Sequence, residues 1–409
     1  MKISSVVENN LCISCGICAG VCPKKCISST FEAGSYKPTI DEKSCVNCGL
    51  CHKVCPGKSA DYVTPYKDKI PNIFFGWFKK CLAAQIKDKK LLAQTTSGGV
   101  LTKLIENLLR DKIYDAAFLV DTFNYDEEIF TNLYTSESDL TNTPKSRYLT
   151  VNQSRAVRYM LENRDKKLIL VGTSCFIQGI LNVIAQFKLN RENYFLAGLF
   201  CDKTMNYNVW NYFKAFDKID KLFFRTKEAK GWPGVVGVEK QGKKIFLPRE
   251  LRLRMKDFFC VERCRYCLDK LNQFADISFG DNYCKTPLPK EIDSKAGVSC
   301  LIIRTNFGLK IFEQYIDEFL VAELPAQEIY KTQKIEKRKT NFVFGEYKSA
   351  EVGYPINRVP SEISLESFEK PTHNREYESL LVQQKMGCTD AFPAVAVDVW
   401  RKINPKFKS

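Results

Sequence analysis

Histidine is nearly missing from this 409-residue chain, since His52 and His373 are the whole supply. Serine-histidine triads, H-E-x-x-H zinc sites and two-histidine iron sites therefore have almost nothing to be built from. Long apolar runs are scarce as well. Residues 168–187 are free of charge but contain Gly172, Thr173, Ser174, Gln178, Gly179, Asn182 and Gln186. That is too polar for hydrocarbon and suits the strand, turn and helix of a buried core, so no membrane span is expected. The first ten residues carry one lysine and no apolar stretch of signal-peptide length, which makes a cytoplasmic location the expectation.

Cysteine is the opposite case, with 18 in the chain. In a reducing compartment, clustered cysteines signal metal or redox chemistry rather than disulfides. Residues 12–23 read CISCGICAGVCP and residues 45–56 read CVNCGLCHKVCP, a repeat with cysteine, glycine and proline in register. Three closely spaced thiolates wrap three corners of an iron-sulfur cube, and the fourth, ahead of proline, reaches the other cube. By that logic Cys12, Cys15, Cys18 and Cys55 hold one 4Fe-4S cluster, and Cys45, Cys48, Cys51 and Cys22 hold a second. A zinc ribbon would use two separated ligand pairs instead. Gly16 and Gly49 let each loop turn tightly, and Cys26, outside the run, reads as an ordinary small buried residue.

Downstream, TTSGGVLTKLIENLLRDK from Thr95 has the apolar spacing of a helix that opens on glycine. Ser97, Gly98 and Gly99 make an amide-rich helix start, the type of place that holds a phosphate. Segments 115–120 and 168–171 read as buried strands, 176–187 as a helix and 194–200 as a third strand, a βαβ order. Ligands collect at the carboxyl ends of such strands. There Gly172, Thr173 and Cys175 follow one strand and Cys201, Asp202 and Lys203 the next, so two distant cysteines would project into one crevice.

A third group, CVERCRYC, places Cys260, Cys264 and Cys267 at cluster-ligand pitch. The spacing is shared with radical S-adenosylmethionine enzymes, which hold a cluster by three cysteines and leave one iron open. That alternative places the motif early in a barrel, whereas here it comes late and after the crevice. Three cubes, each contributing about −2, would reduce the formal charge of +15 to about +9. The excess suits a phosphate-bearing cofactor or an acidic partner. No nucleic-acid reader motif accompanies it, and nucleic-acid binding is not expected.

These pieces together resemble the family of coenzyme F420 hydrogenase and dehydrogenase beta subunits. The resemblance is carried by the double ferredoxin run, QTTSGGVLTKL, VGTSCFIQGIL, GLFCDKTMN, RTKEAKGWPG, CRYCLDKLNQFADISFGDNY and GVSCLIIRTNFG, over roughly residues 1–315. It implies a small dicluster ferredoxin-like domain followed by a flavin-binding α/β domain with a mostly parallel sheet. It also implies FAD, fed by 4Fe-4S centres and exchanging hydride with a deazaflavin or similar carrier. Ser97, Gly98, Gly99, Gly172, Thr173 and Cys175 would face the flavin or its phosphates, with Lys203 in the cofactor-binding set. Cys260, Cys264 and Cys267 would hold a third 4Fe-4S cluster with Cys175 as first choice for the fourth ligand, and Cys201 and Cys284 as alternatives. Implied partners are an electron-donor or acceptor protein and, as for bacterial relatives, enzymes of polysaccharide biosynthesis. Two departures are Ser174, where the family has proline, and Cys201-Asp202-Lys203, where it has Cys-His-Gly; the latter leaves the substrate open.

The expected organisation is a dicluster domain over 1–65, a connector over 66–80, a flavin domain over 81–330, and a basic linker and tail over 331–409. A strand pair around Gln241-Gly242, a strand at 300–304 and a helix at 309–319 complete it. Cys81, Cys300 and Cys388 are assigned to structure. The leading functional expectation is a flavin-linked iron-sulfur oxidoreductase. A radical S-adenosylmethionine enzyme and a non-catalytic electron-transfer subunit are the competitors.

Overall fold

The computed structural model describes residues 1–64, 72–121, 125–216, 219–247, 249–361 and 363. His373, Cys388, the run at 395–403 and part of the 66–80 connector lie outside them. No helix among the described residues is long and apolar enough to cross a membrane.

The two cysteine loops repeat in backbone as they do in sequence. Ser14 and Asn47, then Gly16 and Gly49, all take left-handed φ values of 53–73°. Each glycine starts a one-turn helix, Ile17–Gly20 or Leu50–Lys53. The strands Ile27–Glu32 and Ser35–Ile40 form a hairpin between the loops.

Eight strands form the main sheet. In spatial order they are Phe319–Glu323, Lys80–Ile86, Ser299–Ile303, Ile277–Asp281, Tyr194–Leu199, Leu168–Gly172, Ala116–Leu119 and Asn132–Tyr134. The four strands from Ile277–Asp281 to Ala116–Leu119 run parallel, and the strands flanking them are antiparallel. The α/β expectation therefore holds with a parallel centre in a mixed sheet. Both faces are covered, which is why LILV and YFLA are apolar without alternation. Leu168, Leu170, Tyr194 and Leu196 pack on one face with helix Ser174–Phe187. Ile169, Phe195 and Ala197 pack on the other with helix Val100–Arg110.

The cysteine module is docked on the first face. Ile17, Val21 and Val54 belong to that core. Two glycines permit the approach: a Cβ on Gly20 would stand 2.6 Å from Val157 Cβ, and one on Gly179 would stand 2.3 Å from Ile17 Cδ1. Such distances lie inside van der Waals contact, so any side chain there would force the surfaces apart.

Two sequence expectations change. The helix expected at 309–319 is Asn306–Gln314, begun by Thr305 accepting from Gly308 N–H, and Phe319 instead opens the edge strand on Lys80–Ile86. The stretch from 331, which reads in sequence as a basic linker, is helical over Arg338–Val352, with Arg338 and Lys348 buried. Asn357 and Arg358 then pair with Ala60 and Asp61 beside the cysteine module. Its charges read as solvated because their partners are far away in sequence.

Candidate functional site: three sulfur cages and a crevice

Cys12, Cys15, Cys18 and Cys55 line one small hollow, and Cys22, Cys45, Cys48 and Cys51 line a second. The crossed fourth cysteines bring the two hollows together. Cys26 also lines the second, with its sulfur 3.4 Å from that of Cys22, so it is not the bystander that its position outside the run suggested.

A third cage joins residues from three distant parts of the chain. Cys175, on the first turn of helix Ser174–Phe187, feels the charges of Cys264, Cys201 and Cys267. Cys201, after the next parallel strand, feels Cys264 and Cys267, and Cys267 feels Cys264. Each of these four thiols thus lies near enough to the other three to influence its titration, and Cys175, Cys201 and Cys264 line one cavity. Cys260 is buried, hydrogen-bonded to Cys264, with its Sγ donating to Val261 O at 3.1 Å. Cys284 lies elsewhere, beside Thr332 and near Cys300 and Cys81.

The donor chemistry fits iron-sulfur cubes. Burial, with reinforcement from neighbouring thiols, pushes Cys55 and Cys201 up to about 12 and Cys15, Cys18 and Cys175 well above the usual thiol range. Four thiolates in such a place need a positive core among them. Among the described residues no three His, Cys, Asp or Glu side chains converge as they would around a single metal ion.

Next to the third cage lies a crevice of about 950 Å³, at the upper end of the range for cofactor sites. It opens at the carboxyl ends of the parallel strands, where Gly172, Thr173, Leu199, Phe279 and Asp281 form its floor. Cys15 of the first cage and Cys175, Cys201 and Cys264 of the third reach its wall. Of the expected cofactor residues, Ser97, Gly99, Gly172, Thr173 and Lys203 line it. Gly98 is not among them. Its O accepts from Ile86 N–H, and a Cβ there would stand 2.5 Å from Ala84 O and Ser299 N, so this glycine serves close packing on the sheet. Gly99, at φ 77°, begins helix Val100–Arg110. Lys203 is tied to Asp257 at 2.9 Å.

The crevice lining and the buried residues behind it hold charges, most of which the sequence did not single out. Arg225 makes a two-pronged ion pair with Asp281, at 2.6 and 2.8 Å, while its Nε donates to Pro233 O. Trp232 Nε1 donates to Asp281 as well. Burial pushes Lys270 down to about 8 despite the nearby Asp202 carboxylate, and pushes Asp269 up to about 6. Arg338, from the supposed linker, pairs with Asp202 at 2.5 Å. Asn341 donates to Cys267 O at 2.8 Å, and Asn357 to Tyr266 O at 2.8 Å. Helix Arg338–Val352 and the short strand Asn357–Arg358 therefore clasp the CVERCRYC loop. Nothing in the local pattern of KTQKIEKRKT signals this, since only the fold brings the two segments together.

A mixed sheet with a cofactor-sized crevice, flanked by sulfur cages, defines an iron-sulfur electron-transfer subunit. The sequence comparisons give the family. Coenzyme F420 hydrogenase/dehydrogenase, beta subunit N-term, matches residues 81–158, the corresponding C terminus matches 165–328, and a 4Fe-4S dicluster domain matches 11–59. The chain belongs to the coenzyme F420 hydrogenase/dehydrogenase family of beta subunits. It is 25% identical over 359 residues to an F420H2 dehydrogenase subunit of Methanosarcina mazei, covering 83% of this chain and 93% of that one. It is 24% identical over 260 residues to the coenzyme F420 hydrogenase beta subunit of Methanococcus voltae, covering 61% and 83%. A chain of the F420-reducing [NiFe] hydrogenase complex from Methanosarcina barkeri shares the fold, with TM-score 0.53 and 19% identity over 71% of this chain and 99% of that one.

Proposed function

We propose that this chain is a flavin-linked oxidoreductase that passes electrons between 4Fe-4S clusters and a two-electron carrier of the coenzyme F420 type, through FAD held in the crevice. The observation that carries this reading is the continuity of the sulfur cages with the crevice. Cys51 of the second cage interacts with Cys18 of the first, and Cys15 of the first with Cys175 of the third. Cys15 and Cys175 both stand on the crevice wall. In this reading electrons pass from the second cage to the first and enter the crevice at Cys15 directly or by way of the third cage.

The sequence expects Cys260, Cys264 and Cys267 with Cys175 as ligands of the third cluster; in this reading Cys201 takes the place of Cys260, whose Sγ donates to Val261 O and bonds Cys264. Ser97, Gly99, Gly172 and Thr173 offer backbone and hydroxyl groups to the cofactor. A bound flavin would supply the exchange between single electrons and hydride, which cubes alone do not perform. Arg225 and Asp281 line the crevice, with Trp232 donating to Asp281, and the clasp of Arg338 and Asn341 holds the third ligand loop in place. An electron-donor or acceptor protein would dock near the second cage, where Cys48 is exposed. A partner in polysaccharide biosynthesis is one setting for that exchange. The radical S-adenosylmethionine alternative needs an open iron corner, and the presence of Cys175 and Cys201 beside Cys264 and Cys267 disfavours it.

The test is anaerobic purification with iron and flavin quantitation, then assay with coenzyme F420 and a one-electron donor or acceptor dye. About 12 irons per chain, four for each of three cubes, and flavin released on denaturation are expected. Absence of flavin, or no F420-dependent dye reaction in either direction, would overturn the reading.

A further inference from the structure

The second cage contains five sulfurs where a cube needs four. Cys22, Cys45, Cys48 and Cys51 account for the corners that the repeat predicts, and Cys26 is the surplus. Its sulfur stands 3.4 Å from Cys22 Sγ, within hydrogen-bonding contact, and it also contacts Cys45. Both Cys22 and Cys26 are buried, at 7% and 8% exposure, and both are free thiols. An ordinary core cysteine has apolar neighbours; this one is wedged between two corners of a cage.

The backbone keeps it there. Cys26 immediately precedes the strand Ile27–Glu32, and its carbonyl accepts from Asp41 N–H at 2.8 Å, closing the end of the hairpin ladder above the Ile27 and Ile40 pair. Cys22 and Cys26 are joined by only Pro23, Lys24 and Lys25, with Lys25 in the left-handed region, which folds the chain back so that the two sulfurs meet. One χ1 rotation displaces a cysteine sulfur by about 3 Å, comparable to the gap between them.

We propose that Cys26 is a reserve ligand of the second cluster, able to take the corner held by Cys22. In the exchange the Fe–S bond to Cys22 breaks and one to Cys26 forms. The Cys26 thiol proton passes to the departing Cys22 thiolate, and no electron is gained or lost. The first cage has no such neighbour among its lining residues, which include only Cys12, Cys15, Cys18 and Cys55 as sulfur donors, whereas the third has Cys260 bonded to Cys264. A reserve at the second cage is useful because that cage is the more exposed of the two, with Cys48 open to solvent, and loss of a corner there would break the wire at its outer end.

This inference rests on the cluster reading above, and the experiment separates the two. Full-length wild type, Cys22→Ala, Cys26→Ala, Cys48→Ala and the Cys22→Ala/Cys26→Ala double variant are purified anaerobically. Iron, acid-labile sulfide and the EPR spectrum of the dithionite-reduced state are measured for each. The expected result is that each of Cys22→Ala and Cys26→Ala keeps the wild-type iron content. The Cys48→Ala and double variants should each lose about four irons per chain, with the first-cluster EPR signal retained as evidence of folding. Loss of about four irons in Cys22→Ala, matching Cys48→Ala, overturns the reserve role. Loss in Cys26→Ala with retention in Cys22→Ala overturns it also, by making Cys26 the sole ligand. A wild type without cube signals would instead defeat the cluster reading itself.

Discussion

Replacing Arg225 with leucine tests whether the crevice wall depends on a desolvated ion pair. The Arg225 side chain is 6% exposed and that of Asp281 is 16% exposed, and the pair is two-pronged. Removing one partner leaves Asp281 charged in a dry wall with only Trp232 and its neighbours to stabilise it. Breaking a pair of this type costs about 3 to 5 kcal/mol. For a domain of this size each kcal/mol shifts the melting temperature by about 2 to 4 °C, so a fall of roughly 6 to 20 °C is expected. The Arg225→Leu/Asp281→Leu double variant removes the stranded charge and should recover most of that loss. The pH dependence has a definite sign. The Asp281 carboxyl is held below its ordinary range in the wild type, through its pair with Arg225 overcoming desolvation, so its contribution is full at neutral pH and is lost as pH falls through the folded value. Without Arg225 the same carboxyl rises, takes up a proton sooner, and the deficit of the variant narrows from pH 7 toward pH 5.5. Anaerobic thermal melts of the three proteins at both pH values provide the assay. A single variant that melts within about 2 °C of wild type, or a double variant no better than the single, would refute the argument.

Three further outcomes follow from the geometry. Gly179→Leu inserts a side chain where Cβ alone would already stand 2.3 Å from Ile17 Cδ1, so the cysteine module must shift on its helix. Iron content should stay at the wild-type level while stopped-flow transfer from cubes to flavin slows several-fold; an unchanged rate would show that the docking does not set the path. Lys270 loses its charge as pH rises through about 8, so the KM of an anionic carrier should rise between pH 7 and 9. The Lys270→Gln variant should show a higher KM at pH 7 and a flatter profile, and an unaltered profile would remove Lys270 from the site. Arg338→Met frees Asp202 and loosens the Cys267 loop, so the third cluster should be lost faster under oxygen while the two ferredoxin-like clusters bleach at their usual rate, as followed by EPR.

The sequence alone determined whatever depends on neighbours along the chain. The double C-x-x-C-G-x-C run dictated two turns with the same left-handed positions, and the apolar spacing dictated helices Val100–Arg110 and Ser174–Phe187 and the parallel strands. Those features follow from steric limits and local periodicity, which operate over a few residues. The βαβ order already pointed Cys175 and Cys201 toward one crevice, and tertiary structure decided that both, and not Cys284, come near Cys264 and Cys267. Cys175 and Cys201 join Cys264 and Cys267 because consecutive parallel strands end at one edge of the sheet, a consequence of packing across nearly a hundred residues. It also decided that Gly98 packs instead of lining the crevice, that Cys26 touches a cage, and that Arg338 and Lys348 of a basic stretch are buried. Charge and spacing state what a residue can do, and the distance to a partner elsewhere in the fold selects which of those things it does.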